Sequence, residues 1–227
     1  MLHSEEPFRF HRGDVLPGIT LAYETWGELN ADRSNAILLF TGLSPSAHAA
    51  SSEEDPNDGW WEFMIGPGHP IDTNVYFVLC VNSLGSCKGS LGPASINPET
   101  GEPWRLGFPD VCIEDVAAAT QRVVEHLGIE QLCAVMGPSM GGMTTLAWAS
   151  QNPTGARHLM TLSSAPRAEP FSIAIRSLQR EMILLDPAFA DGQYTDEAWP
   201  RQGMRMARKL GMVSYRSAIE WEDRFGR

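Results

Sequence analysis

The strongest constraint on the fold is the segment Gly137-Pro138-Ser139-Met140-Gly141, a G-x-S-x-G pattern followed directly by a third glycine, Gly142. A strand-like apolar run, LCAVM (132–136), precedes it, and an apolar helical segment (140–151) follows it. In a sharp strand-to-helix turn the central residue adopts a strained backbone conformation, and small residues on each side let the helix approach the strand. We predict that Ser139 projects from the carboxyl edge of a sheet at a helix N-terminus.

That position suits a catalytic nucleophile, because a helix dipole and free backbone N–H groups favour developing negative charge. The Met140 amide is our candidate for one donor of an oxyanion hole. The Leu43 amide, in the loop Thr41-Gly42-Leu43-Ser44-Pro45 after an earlier apolar run, is the candidate for the second donor. Two alternatives stay open: Ser139 could be only a helix cap, and 41–45 could be an ordinary Gly/Pro turn.

The rest of the chain predicts an α/β fold. Residues 19–26 alternate like a strand, and the short apolar runs are typical of buried strands (36–40, 75–81 and 159–163). An amphipathic helix is predicted over 113–127. These alternating elements indicate a mostly parallel sheet with helices on both faces. After about residue 166 the pattern is helical only, so we predict a core domain at 1–166 and a helical lid insertion at 167–227.

Composition excludes several classes of protein. The 227 residues carry 17 Lys+Arg and 28 Asp+Glu, a formal net charge of −11, which argues against nucleic-acid binding and against an anionic membrane surface. No apolar run is long enough to span a bilayer, and the first residues lack the apolar segment of a secretory signal. The four cysteines show no metal or disulfide spacing. We therefore expect a cytoplasmic protein with reduced thiols, no metal and no bound cofactor.

Four segments together resemble the serine/homoserine O-acyltransferases, α/β-hydrolase-fold enzymes of cysteine and methionine biosynthesis. The matching segments are 41–51 (TGLSPSAHAAS), 82–109, 137–143 (GPSMGGM) and 207–217. The resemblance covers nearly the whole chain, and the long 82–109 block is far more specific than G-x-S-x-G. Gly42-Leu43-Ser44-Pro45 resembles the serine O-succinyltransferase branch, because the homoserine O-acetyltransferase branch has a His-Ala-Leu-Thr-Gly type segment there.

The resemblance implies a ping-pong transfer of a succinyl group from succinyl-CoA to L-serine through an acyl-Ser139 intermediate. It implies that Arg208 binds the carboxylate of the amino acid, that Arg176 binds the distal carboxylate of the succinyl group, and that Gly42-Leu43-Ser44-Pro45 sets substrate specificity. A planar guanidinium suits bidentate carboxylate recognition. By their sequence context alone, both arginines would suit a solvated helix face. Small molecules are the implied partners, and a homodimer is compatible with the resemblance.

One departure from the family pattern concerns the catalytic triad. In this fold an acid and then a histidine follow the nucleophile along the chain. Only His158 follows Ser139, and it lies too early to be the base. No candidate acid precedes a later strand followed by a histidine. We therefore expect that the chain is a fragment that lacks the triad Asp, the triad His and the last strands of the sheet, and that it is poorly soluble and nearly inactive by itself.

Competing functions remain open. Homoserine could be the acceptor or acetyl-CoA the donor, since one methylene is worth only about 1–3 kcal/mol in a pocket. An esterase would use water in place of the amino acid. A non-catalytic binding protein that retains the turn is the third class.

Overall fold

The computed structural model describes residues 1–226. They form two compact units that divide after Pro166, and each unit is described by itself below. That the second unit serves as a lid stays a prediction.

The first unit contains all the strands found in residues 1–226 and two of the α-helices. The strands are β1 (Leu2–Ser4), β2 (Phe8–Arg9), β3 (Val15–Leu16), β4 (Ile19–Leu21), β5 (Tyr23–Trp26), β6 (Ala36–Phe40), β7 (Ile65–Gly66), β8 (Ile71–Asp72), β9 (Phe77–Val81), β10 (Leu132–Pro138) and β11 (Ala156–Leu162). A short 3₁₀ helix covers Arg105–Gly107. The helices of this unit are α1 (Ile113–His126) and α2 (Met140–Gln151).

Five strands form the central sheet in the order β11-β10-β6-β9-β5. The first four are parallel, and only β5 at the edge is antiparallel. The predicted α/β sheet is thus confirmed, and parallel pairing brings the carboxyl ends of β6, β9 and β10 to one edge. Within residues 1–226, β11 pairs on one side only, and Leu159, Met160 and Leu162 on it are exposed.

The expectation of one strand over 19–26 is wrong in detail. The segment divides into β4, which pairs with β1, and β5, which pairs with β9. The residue between them, Ala22, donates its amide to the Ser90 hydroxyl at 3.0 Å. This side-chain acceptor replaces a strand partner where the chain changes from one sheet to the other.

The two faces of the sheet are covered differently. On one face, Leu38, Phe40 and Val135 share a core with buried residues of α1 and α2. The predicted apolar face of α1 is confirmed, with Val116, Ala117, Thr120, Val123 and Val124 buried. On the other face, Ile37, Leu39 and Met136 pack against the segment 47–65, which contributes three alanines and the stacked pair Trp60–Trp61. Strand residues alternate between the two cores because successive side chains point to opposite faces.

The second unit is helical over its described residues. It contains α3 (Pro170–Leu184), a short 3₁₀ segment (Pro187–Gly192), α4 (Arg201–Ser214) and α5 (Ala218–Phe225). Helices α3 and α4 pack closely because α4 presents Gly203, Ala207 and Gly211, one helical turn apart and all buried. A β-carbon at Gly203 would lie 2.9 Å from the Ile183 α-carbon.

Candidate active site

Ser139 lies between β10 and α2 in the strained conformation that the sequence predicts. Its φ is 56° and its ψ is −118°, a left-handed conformation that is costly for a residue with a side chain. The surrounding structure holds it there: the Ser139 amide donates to the Leu162 carbonyl at 2.8 Å, and its carbonyl accepts from the Gly142 amide at 3.0 Å. The residue is exposed to solvent. The strained turn therefore presents the side chain at the edge of the sheet.

The Ser139 hydroxyl is not a helix cap. It makes no capping hydrogen bond to the first turn of α2, although the residue occupies the cap position. The helix-cap alternative is therefore wrong. The first amides of a helix lack intrahelical acceptors, so the N-terminal end of α2 keeps free donors beside an uncommitted hydroxyl.

Close backbone approach explains the three glycines of the turn. A β-carbon at Gly141 would lie 2.5 Å from the Phe40 carbonyl oxygen, and one at Gly137 would collide with the Gly141 backbone. A β-carbon at Gly142 would lie 2.5 Å from the Ser164 β-carbon. Each glycine thus allows a contact that any side chain would prevent, and together they seat α2 against the ends of its neighbouring strands.

The structure brings the loop 41–45 to the nucleophile turn. Gly42 is buried, and a β-carbon there would lie 3.8 Å from the Pro138 carbonyl oxygen. Leu43 follows with an exposed side chain, and its amide has no protein acceptor within the described residues. Ser44 is exposed and Pro45 half-buried. The loop therefore runs beside Ser139 with a free amide at Leu43, as an oxyanion donor requires, while its catalytic role and that of Met140 stay predictions.

Two serines at this edge were not singled out by the sequence. Ser83, two residues after the end of β9, shares a 3.2 Å hydrogen bond with the buried Thr41 hydroxyl and so ties the 82–92 loop to the 41–45 loop. The Ser164 hydroxyl is buried against Gly142 and has no hydrogen-bond partner among residues 1–226. Both serines lie two residues after the end of an apolar strand, which is the signal that could have found them.

No imidazole of the described chain hydrogen-bonds to Ser139. His48 binds Glu24, His3 binds Thr20 and His69 binds the Glu62 carbonyl. His158 lies on β11 and is exposed. The base that a serine nucleophile needs is thus not found among residues 1–226. Nor do these residues contain a group of three or more side chains able to hold a metal ion.

His48 links the segment after the 41–45 loop to the sheet. Its Nδ1 lies 2.8 Å from the Glu24 carboxylate on β5, and its Nε2 lies 2.9 Å from the Asn57 carbonyl oxygen. Burial lowers the pKa of His48, but the hydrogen bonds to Glu24 and Asn57 and the charges of Glu24 and Asp55 outweigh it, so the pKa is raised. With acceptors at both ring nitrogens, the charged imidazolium is the form that satisfies both contacts.

The two arginines singled out by the resemblance lie on the helices of the second unit. Arg176 on α3 is exposed and donates from Nη1 to the Gln179 side-chain oxygen at 2.8 Å. Arg208 on α4 is exposed and has no hydrogen bond or ion pair within residues 1–226. Neither guanidinium is neutralised by a carboxylate of the described chain, so both are available for an anionic ligand.

No helix among the described residues combines the length and apolar character needed to cross a bilayer.

The cysteines of this part of the chain are free, and burial raises the pKa of the Cys80 thiol, with a smaller contribution from the charge of Glu24. A buried thiol of raised pKa is a poor nucleophile, so Cys80 is not a candidate for the catalytic nucleophile.

Comparison with known proteins gives a consistent picture. Residues 35–227 match the family model of the alpha/beta hydrolase fold. The chain is 62% identical, over 221 residues, to a serine O-succinyltransferase of Stenotrophomonas maltophilia (strain K279a), covering 97% of this chain and 60% of that protein. A serine O-succinyltransferase of Xanthomonas axonopodis pv. citri is also 62% identical, with 55% of its length covered. The chain thus spans little more than half the length of these curated relatives.

Solved structures include both transferases and esterases. A homoserine O-acetyltransferase from Bacillus anthracis superimposes with a TM-score of 0.92 at 33% identity, over 100% of this chain and 62% of that one. Esterase E22 superimposes with a TM-score of 0.88 at 32% identity, over 98% of this chain and 62% of that one. Proteins of the same fold, and of similar sequence identity to this chain, therefore include both a homoserine O-acetyltransferase and an esterase.

Proposed function

The chain belongs to the alpha/beta hydrolase family, and from this premise we propose that the protein is an O-acyltransferase that transfers a succinyl group from succinyl-CoA to the hydroxyl of L-serine. The observation that carries the proposal is Ser139: an exposed, uncapped hydroxyl in a left-handed turn at the N-terminus of α2. The 62% identity to proteins named serine O-succinyltransferase supports the choice of donor and acceptor.

The first half-reaction makes an acyl-enzyme. A base removes the hydroxyl proton of Ser139, the oxygen attacks the thioester carbonyl carbon, and the C–S bond breaks. The CoA sulfur takes up the proton and leaves as the free thiol. The Leu43 and Met140 amides are the proposed donors to the oxyanion of the tetrahedral intermediate, where preorganised N–H groups stabilise developing charge.

The second half-reaction regenerates the enzyme. The hydroxyl of L-serine gives its proton to the base and attacks the same carbonyl carbon, and the bond to the Ser139 oxygen breaks. Ser139 recovers a proton, and O-succinyl-L-serine leaves. Arg208 is the proposed site for the carboxylate of L-serine, and Arg176 that for the distal carboxylate of the succinyl group, because a guanidinium binds carboxylates in a fixed bidentate geometry.

The test compares two serines of the same turn-helix element. The gene product that contains these 227 residues is incubated with succinyl-CoA and L-serine, while CoA release and O-succinyl-L-serine are measured. We expect Ser139→Ala to lower kcat by about a thousandfold or more. Ser150→Ala, an exposed serine near the end of α2, should have no effect. Unchanged turnover in Ser139→Ala would rule out the proposed nucleophile.

Hydrolysis is the second candidate function, favoured by the similarity to esterase E22. The two functions differ in the molecule that accepts the acyl group. CoA release that depends on L-serine and yields its O-ester indicates transfer. Release at the same rate without an amino acid, with free succinate as product, indicates hydrolysis. Parallel assays with L-homoserine and with acetyl-CoA determine the acceptor and donor.

A further inference from the structure

A small side-chain cluster joins α3 and α4 in the helical unit. Arg176 donates from Nη1 to the Gln179 oxygen at 2.8 Å, and its guanidinium carbon lies 5.5 Å from the centre of the Tyr215 ring. The Gln179 nitrogen donates to the Ala207 carbonyl on α4, also at 2.8 Å. We propose that Gln179 is a positioning residue. It holds the guanidinium of Arg176 so that the Nε and Nη2 donors, which Gln179 leaves free, bind the distal carboxylate of the acyl donor. This inference rests on the proposed function.

The chemistry of the two contacts fixes the orientation of the Gln179 amide. A guanidinium acts only as a hydrogen-bond donor, and a backbone carbonyl oxygen acts only as an acceptor. The amide oxygen must therefore face Arg176 and the nitrogen must face Ala207. Because the amide cannot flip without losing both bonds, the position of Arg176 Nη1 is coupled to the backbone of α4.

Small residues on α4 make room for this amide. A β-carbon at Gly211 would lie 3.0 Å from the Gln179 nitrogen. Ala207, which accepts the hydrogen bond, is buried and directly precedes Arg208. One glutamine thus connects the guanidinium on α3 with the backbone next to the second candidate arginine, although Gln179 and Ala207 are 28 positions apart in the sequence.

The neutral partner of Arg176 distinguishes it from the arginines of the unit that pair with a carboxylate. Arg167 pairs with Glu169 at 3.2 Å, and Arg216 and Arg224 both pair with Glu220. Arg176 contacts an amide and an aromatic face, neither of which cancels its charge. Its Nε and Nη2 have no acceptor within residues 1–226. A fixed, charged fork with a free edge is suited to a carboxylate.

The experiment compares Gln179→Met, Gln179→Glu and the control Gln202→Met, which changes an exposed glutamine of α4. Kinetic constants are measured with succinyl-CoA and with acetyl-CoA. We expect Gln179→Met to raise the KM for succinyl-CoA about tenfold, since a hydrogen bond to a charged group is lost. Acetyl-CoA has no distal carboxylate, so its KM should change much less. Gln179→Glu should raise the KM for succinyl-CoA by at least as much, because the new carboxylate neutralises the charge of Arg176.

A merely structural role for Gln179 predicts a different result. Loosened packing of α3 on α4 would affect both donors by the same factor, and that outcome, or no effect on either donor, would overturn the inference. Gln202→Met should match the wild type with both donors.

A binding measurement separates this inference from the proposed function. The NMR signal of Arg176 Nε–Hε is followed in the gene product that contains these 227 residues while succinate is added. We expect a saturable shift that is weakened in Gln179→Met and kept in Gln202→Met. If transfer to L-serine fails and this shift persists, the proposed function is wrong and the carboxylate site stands. If transfer occurs but succinate leaves the Arg176 signal unchanged, the positioning role is wrong.

Discussion

The nucleophile turn and the arginine cluster of α3 and α4 are fixed by different parts of the chain. At Ser139 the backbone determines the geometry, through strand ends, amide hydrogen bonds and glycines that admit no side chain. At Arg176 the geometry depends on side chains, namely the Gln179 amide and the Tyr215 ring. A backbone-built site tolerates little change, whereas a side-chain-built site can change specificity by single substitutions. The first suits the shared chemistry of a fold and the second the choice of substrate.

The largest effect on folding is expected from Gly141→Ala, which tests whether the backbone alone fixes the turn. The new methyl group would collide with the Phe40 and Thr41 carbonyls, which cannot move without disturbing β6. We expect the free energy of unfolding to fall by about 3 kcal/mol. Urea denaturation measures the change.

Gly107→Ala is the matched control, because a β-carbon there meets nothing within 4 Å. It should change the free energy of unfolding by less than about 1 kcal/mol. Equal effects of the two substitutions would contradict the packing role of Gly141.

A smaller, pH-dependent effect is expected from His48, whose side chain links the segment after the 41–45 loop to the sheet. The folded pKa of His48 is raised above 6.5, so its stabilising contribution is complete below that pH and is lost as the pH rises through the folded pKa. The His48 ring is contacted by Glu24, Asp55 and the Asn57 carbonyl, and it also interacts with the charge of Glu62.

We expect His48→Gln to lower the free energy of unfolding by about 1 kcal/mol at pH values near 6 and below, with the difference shrinking at alkaline pH. His158→Gln, an exposed histidine on β11, is the control and should show no such trend. A difference that grows with pH would contradict the charged state assigned to His48.

Tyr215→Leu tests the side-chain-built site with a smaller effect on folding. Loss of the ring removes a cation–π contact worth about 0.5–1 kcal/mol at an exposed site. We expect a small loss of stability and a preference for succinyl-CoA over acetyl-CoA that falls about threefold. Tyr215→Phe keeps the ring and should keep the preference, so an equal loss in both variants would exclude the ring contact as the cause.

Arg208→Gln should affect folding least, within about 0.5 kcal/mol, because the side chain is exposed and without a partner in residues 1–226. Its expected effect is a higher KM for L-serine with little change in the KM for succinyl-CoA. Arg205→Gln, on an exposed neighbour of the same helix, is the control. A rise in both KM values would contradict a role specific to the acceptor.

Local sequence patterns by themselves determined the parallel strands of the central sheet, the helices and the turn at Ser139, whereas the division of 19–26 into β4 and β5 was not predicted. These patterns act over a few residues, so they can be recognised without knowledge of the fold: buried apolar runs, the amphipathic spacing of α1 and the glycines around Ser139. Only the tertiary structure decided what lies beside them. Gly42 meets Pro138, Ser164 meets Gly142 and Gln179 meets Ala207 because packing joins positions far apart in the chain. Sequence spacing carries no record of such contacts, since side-chain hydrogen bonds between elements depend on the final packing of those elements.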